Sequence, residues 1–220
     1  MKQLALLVAF AIAAAVLGRA TSAFDVPDAP GHSAWYASRA AGLVAYLGLW
    51  VGIVGGLLMS SAWFDGIVSR ARLLAIHQTA TVSGVVLGVA HALLLIPDGY
   101  TNFGLVDVAV PFASYSDPAL TGMGTIALYL AVIVTASFWF RGAIGPVMWR
   151  RIHYAGFLAW GGASWHGLAL GTDTGLAWVQ VLYLGTGLLV IFGFVVRFTY
   201  AKPARQRAAK GVPAGTATAS

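Results

Sequence analysis

The chain has 220 residues, 59% of them hydrophobic and 9% charged, with no cysteine and a net charge of +6. That composition excludes an ordinary soluble domain, and the lack of cysteine excludes disulfides, thiolate metal sites and cysteine-held iron–sulfur clusters. The basic excess gathers at the ends of apolar runs and in the C-terminal tail, so it orients the chain in a lipid bilayer and marks no nucleic-acid partner.

Apolar stretches of about 20 residues, each enough to cross roughly 30 Å of hydrocarbon, fall at 3–18, 38–59, 71–96, 119–140, 147–170 and 176–200. They predict an all-α polytopic membrane bundle of about six transmembrane helices. Residues 1–37 form an N-terminal helix and outer loop, 38–200 the main helical domain, and 201–220 a basic tail with no periodicity. The first stretch, with Lys2 before it and Thr21, Ser22 and Ala23 after it, also fits a cleavable signal peptide; a six-helix bundle favours its retention. Arg70 and Arg72, Arg141, Arg150 and Arg151, and Arg197, Lys202, Arg205, Arg207 and Lys210 fall on one side, whereas the opposite loops carry Asp98, Asp107, Asp117 and Asp173 without Lys or Arg, and the segment between the first two stretches is mixed, with Arg19 and Arg39 against Asp25 and Asp28. This predicts a multi-pass plasma-membrane protein with both termini cytoplasmic. Between Pro97 and Pro118, Tyr100, Phe103, Phe112 and Tyr115 flank an apolar run, as in a segment lying in the outer interface, either as a lid over what lies beneath or as an aromatic anchor without further purpose.

Four of the five histidines stand inside apolar stretches: His77 and His91, fourteen positions apart, and His153 and His166, thirteen apart; His32 does not. Ionisable side chains within a membrane are costly and default to a functional role, and neutral imidazole is a common axial ligand of haem iron. The two stretches run in the same direction, so His77 and His153 share the inner level and His91 and His166 the outer, with a rise of about 21 Å between levels. Thr81, Gly84 and Gly88 share the helix face of His77 and His91, a stripe that suits either a flat macrocycle or close helix packing. His166 falls about 140° around a regular helix from His153, an offset that Gly161-Gly162 would absorb by unwinding or bending. Trp160 lies midway, as an aromatic bridge or simple packing. Arg72 and Arg151, with Arg70 and Arg150, lie near the inner histidines and would suit haem propionates; Arg39 is the cation available at the outer level. Zinc would need its ligands converging on one point, and these pairs are spread along the membrane normal.

The spacing, together with Trp165-His166-Gly167 and Gly171-Thr172-Asp173-Thr174-Gly175, resembles the ferric-reductase-like transmembrane domain over residues 38–200. That family includes the membrane parts of NADPH oxidases and ferric reductases, and the haem subunit of periplasmic methionine sulfoxide reductase. The resemblance implies two haems b, one ligated by His77 and His153 and one by His91 and His166. It departs from the family in having some twenty residues after the last helix and no G-x-G-x-x-G fingerprint, so no FAD or NAD site is expected on this chain. The expected role is a di-haem electron carrier, fed by a separate flavoprotein reductase or quinol and discharging to an external metal ion such as ferric iron or to a periplasmic protein. The alternatives are the haem subunit of a periplasmic repair reductase and a haem-free transporter using histidines for protons or metal ions.

Overall fold

The structure is a computed structural model that describes residues 33–61, 68–98 and 101–200; the first apolar stretch, His32, Tyr100 and the basic tail lie outside them. Its elements are α1 (Ser33–Ser60), α2 (Arg70–Leu94), the short α3 (Leu105–Ala109), α4 (Pro118–Leu170) and α5 (Ala177–Thr199). All four long helices are long and apolar enough to cross a membrane. This is an all-α membrane bundle. Helices satisfy every backbone N–H and C=O within the segment, as hydrocarbon requires.

The separate fourth and fifth spans expected at 119–140 and 147–170 are one assigned helix of 53 residues. A straight helix of that length would measure about 80 Å, far more than a bilayer. Instead the chain reverses at Gly145, whose φ of 77° and ψ of 160° are the one non-helical pair inside α4, with Pro146 next to it. Val134 lies beside Gly156, Ala127 beside Gly162, and His166 beside Leu120 and Gly124, the pairs nesting about residues 143–145. The two arms, 118–144 and 146–170, are therefore antiparallel neighbours, and five of the expected spans are present among the described residues. Gly145 occupies a backbone region essentially closed to other residues. Gly145→Ala should cost about 1–3 kcal/mol of stability, measured as thermal unfolding in detergent; an unchanged melting temperature would show that the reversal tolerates a side chain.

Helix starts follow local chemistry: the Ser69 hydroxyl caps α2 by accepting from the backbone N–H of Arg72, and Pro118 occupies the first turn of α4, where no N–H is needed. Contacts place α1 against α2, α4 and α5, and Ala40, Ala41, Val44, Ala45, Tyr46 and Leu57 are buried there. Gly48 and Gly84 allow the α1·α2 crossing: a Cβ on Gly48 would come 2.9 Å from the Ala80 carbonyl oxygen, and one on Gly84 2.9 Å from the Leu49 nitrogen. From Thr186 of α5, the hydroxyl meets the Tyr46 hydroxyl at 2.5 Å and the carbonyl accepts from Trp50 Nε1 at 3.1 Å. Leu184, Leu188, Ile191 and Phe198 of α5 face outward, where lipid would cover them.

Alternating helix directions gather Arg70, Arg72, Arg141, Arg150, Arg151 and Arg197 at one end of the bundle and Asp98, Asp107, Asp117 and Asp173 at the other. At the aspartate end, residues 101–117 lie over the first arm of α4. Thr125 Oγ1 donates to the Val108 carbonyl, Tyr129 to that of Ala109, and Phe112 packs on Gly122. Leu105, Val106, Phe112 and Tyr115 remain exposed.

Candidate haem-ligating site

The structure brings the four membrane histidines together as two pairs. The His77 and His153 rings lie 5.9 Å apart between centroids, and the His91 and His166 rings 6.4 Å apart. Two imidazoles on one metal, with bonds of about 2 Å each, would have ring centres roughly 6 Å apart, and both pairs stand at such a separation. The first pair lies towards the arginine end and the second towards the aspartate end, joined lengthwise by α2 and by the second arm of α4.

Three of the rings are fixed from behind by helix carbonyls. His77 Nδ1 donates to Gly52 O at 2.7 Å, His91 Nδ1 to Ser38 O at 2.8 Å and His166 Nδ1 to Leu120 O at 2.9 Å. Placing the proton on Nδ1 leaves Nε2 with its lone pair for a metal, and the outer bond both orients the ring and strengthens it as a donor. Ser38 also meets His91 through its hydroxyl, which lies 3.0 Å from His91 Nδ1 and donates to the His91 backbone carbonyl at 2.8 Å. Thr81 Oγ1 donates to the carbonyl of His77 at 2.7 Å. His153 instead stacks on Trp149, with ring centroids 5.0 Å apart.

Beside the first pair opens a cavity of about 470 Å³, within the range of cofactor pockets. Gly52, Gly56 and Gly156 keep its walls low next to His77 and His153, and Trp149 and Phe157 supply apolar faces. Two polar atoms of its lining, Thr135 Oγ1 and Trp149 Nε1, are buried without a hydrogen-bond partner. An unpaired buried donor is costly, and a ligand with acceptor atoms would relieve that cost. The residues around the first pair thus fit a large, partly polar group that carries a metal.

Arg72 and Arg151 are exposed and do not line this cavity; they sit on the rim of the bundle, at helix starts. The cavity's guanidinium is Arg197, carried in by α5 and 3.5 Å from the Tyr154 hydroxyl. Sequence spacing near the histidines did not reveal it, because Arg197 is remote in the chain and α5 is placed only by packing. Gly84 serves the helix crossing described above, and Gly88 faces Leu128, so most of the small-residue stripe is packing; Thr81 alone also lines the cavity. Gly161-Gly162 does not unwind, since Gly145 is the one non-helical residue inside α4. The offset between His153 and His166 persists and is met by different neighbours: His153 faces the cavity, while His166 is seated on the first arm. Trp160 lies against Tyr46, ring centroids 6.1 Å apart, and Tyr46 against Tyr183 at 4.6 Å. These three rings stand between the two histidine levels.

At the aspartate end, Arg39 is paired with Asp173, the two side chains being only 10% and 9% exposed, and its guanidinium lies 4.3 Å from the Trp35 ring centre. The cation expected for outer propionates is thus engaged by a carboxylate. Among the described residues no three or more His, Cys, Asp or Glu converge on a point. Compared with known proteins, the chain matches no family model, no curated protein and no solved structure.

Proposed function

We propose that this chain is a membrane cytochrome that holds two haems b and carries single electrons across the bilayer. The observation that carries the reading is the pairing of His77 with His153 and His91 with His166, at ring separations suited to axial ligation and at two depths of one bundle. Bound haem supplies one-electron chemistry at a potential set by its axial ligands and surroundings. The chain's own part is to orient three imidazoles through their Nδ1 protons, to exclude water with apolar walls, and to offer Arg197 and the Trp149 N–H to carboxylates at the arginine end. Trp160 and Tyr46 fill the space between levels with aromatic rather than aliphatic groups.

By the positive-inside rule the arginine end faces the cytoplasm, towards a flavoprotein or quinol donor, and the aspartate end faces an external acceptor, a metal ion or a periplasmic protein. The likeness to the ferric-reductase-like domain rests on the histidine spacing and the two motifs quoted for it. A reduced-minus-oxidised spectrum with a pyridine haemochrome count should give two haems b per polypeptide. Colourless protein from cells supplied with haem would overturn the proposal and favour a transporter. Arg197→Gln should loosen the haem at the arginine end roughly tenfold, the worth of one charge-assisted hydrogen bond at a half-open site; unchanged retention on haem titration would remove Arg197 from the site.

A further inference from the structure

The three carbonyls that hold imidazoles share a feature of register. Ser38 is followed four positions later by Gly42, Gly52 by Gly56, and Leu120 by Gly124. In an α-helix the Cα–Cβ bond tilts towards the N-terminus, so the side chain at i+4 leans over the carbonyl of residue i. A ring reaching that carbonyl from a neighbouring helix must therefore pass over position i+4, and a side chain there stands in its way.

The distances bear this out in graded form. A Cβ on Gly124 would lie 2.6 Å from His166 Nδ1 and 2.8 Å from its Cγ; one on Gly42 would lie 2.9 Å from His91 Nδ1; one on Gly56 would lie 3.7 Å from His77 Cε1, an ordinary contact. Other glycines meet helix backbone, as at Gly48 and Gly84, side chains other than histidine, as at Gly52, Gly88, Gly122 and Gly167, or open space, as at Gly185 and Gly187.

Resting on the haem reading above, we propose that Gly42 and Gly124 are positioning residues for the outer histidines: each leaves open the helix carbonyl that fixes the Nδ1 proton of His91 or His166. Gly56 occupies the same register behind His77 with room to spare. A methyl group at 42 or 124 pushes the ring off its carbonyl, rotates Nε2 away from its partner and weakens it as a donor, while the first pair keeps its geometry.

The test uses the full chain purified from membranes, with haem counted per polypeptide, haem affinity titrated and the two haems resolved by redox titration. Gly124→Ala should weaken the outer haem by about 10–100-fold, the usual effect of losing an outer-shell partner of a metal ligand. Gly42→Ala should act in the same direction by less, and the control Gly187→Ala, where a Cβ meets open space, should stay within about twofold of wild type. Retention of the inner haem in the first two variants reports that they fold. Wild-type affinity in both Gly42→Ala and Gly124→Ala, or equal loss of both haems in them, overturns the proposal. Absence of haem from the wild-type protein would instead overturn the function proposed above, and the seats with it.

Discussion

Alanine at His91 and alanine at His166 should each remove one and the same haem, leaving one haem b per polypeptide, and alanine at His77 or His153 should remove the other. The expectation follows from the pairing: each pair is within reach of one metal, and its members lie on different elements, α2 and the second arm of α4. Loss of one axial imidazole leaves a ring that alone cannot orient the group, and the two members of a pair should therefore be indistinguishable in difference spectra. His153 is the informative member of its pair, because its ring is steadied by stacking on Trp149 rather than by a carbonyl. A conservative exchange there, His153→Met, should retain haem with an altered potential, since methionine is itself an axial ligand that raises the potential. If His77→Ala and His91→Ala remove the same haem, or if neither changes the haem count, the two-level site is wrong.

Breaking the buried pair at the aspartate end should be the costliest polar change in the protein. Asp173→Ala takes a carboxylate partner from the largely buried Arg39 guanidinium, and breaking such a pair costs up to about 3–5 kcal/mol. The pair also ties the start of α1 to the turn that leads into α5, and Arg39 follows Ser38, whose carbonyl holds His91. Asp173→Ala is therefore expected to lower the melting temperature in detergent and to loosen the outer haem. The double variant Arg39→Leu/Asp173→Leu should recover most of the stability, because replacing both charges with apolar groups removes the desolvation penalty along with the attraction. A single variant as stable as wild type would show that water or lipid headgroups already screen the pair.

Much of the bundle was legible before any coordinates, because hydrocarbon imposes a simple rule: a span must be apolar, helical and about 20 residues long. Stretches 38–59, 71–96 and 176–200 match α1, α2 and α5 within a few residues at each end, although α1 begins earlier, at Ser33. The join between the fourth and fifth stretches was less legible. A glycine at φ 77° lets a helix reverse within one residue, and nothing in hydropathy separates that from a loop. The histidines were legible because each is a lone polar ring in an apolar run. Their seats were not, since a glycine's contribution is the absence of a side chain, and whether that absence faces an imidazole, a backbone or lipid depends on which helix lies opposite.

The sequence by itself determined that this is a helical membrane protein with four imidazoles at two depths, because span length, charge placement and rise per residue are properties of a chain in a bilayer. Only the tertiary structure decided how close the expected partners come, 5.9 Å and 6.4 Å between ring centres, that Arg197 rather than Arg72 or Arg151 reaches the cavity, that Arg39 is held by Asp173, and that three of the rings are held by carbonyls with glycines behind them. Those are matters of which helix faces overlap. Side-chain periodicity fixes a face relative to its own axis, while the rotation of one axis against another is set by packing, as where Gly48 meets Gly84.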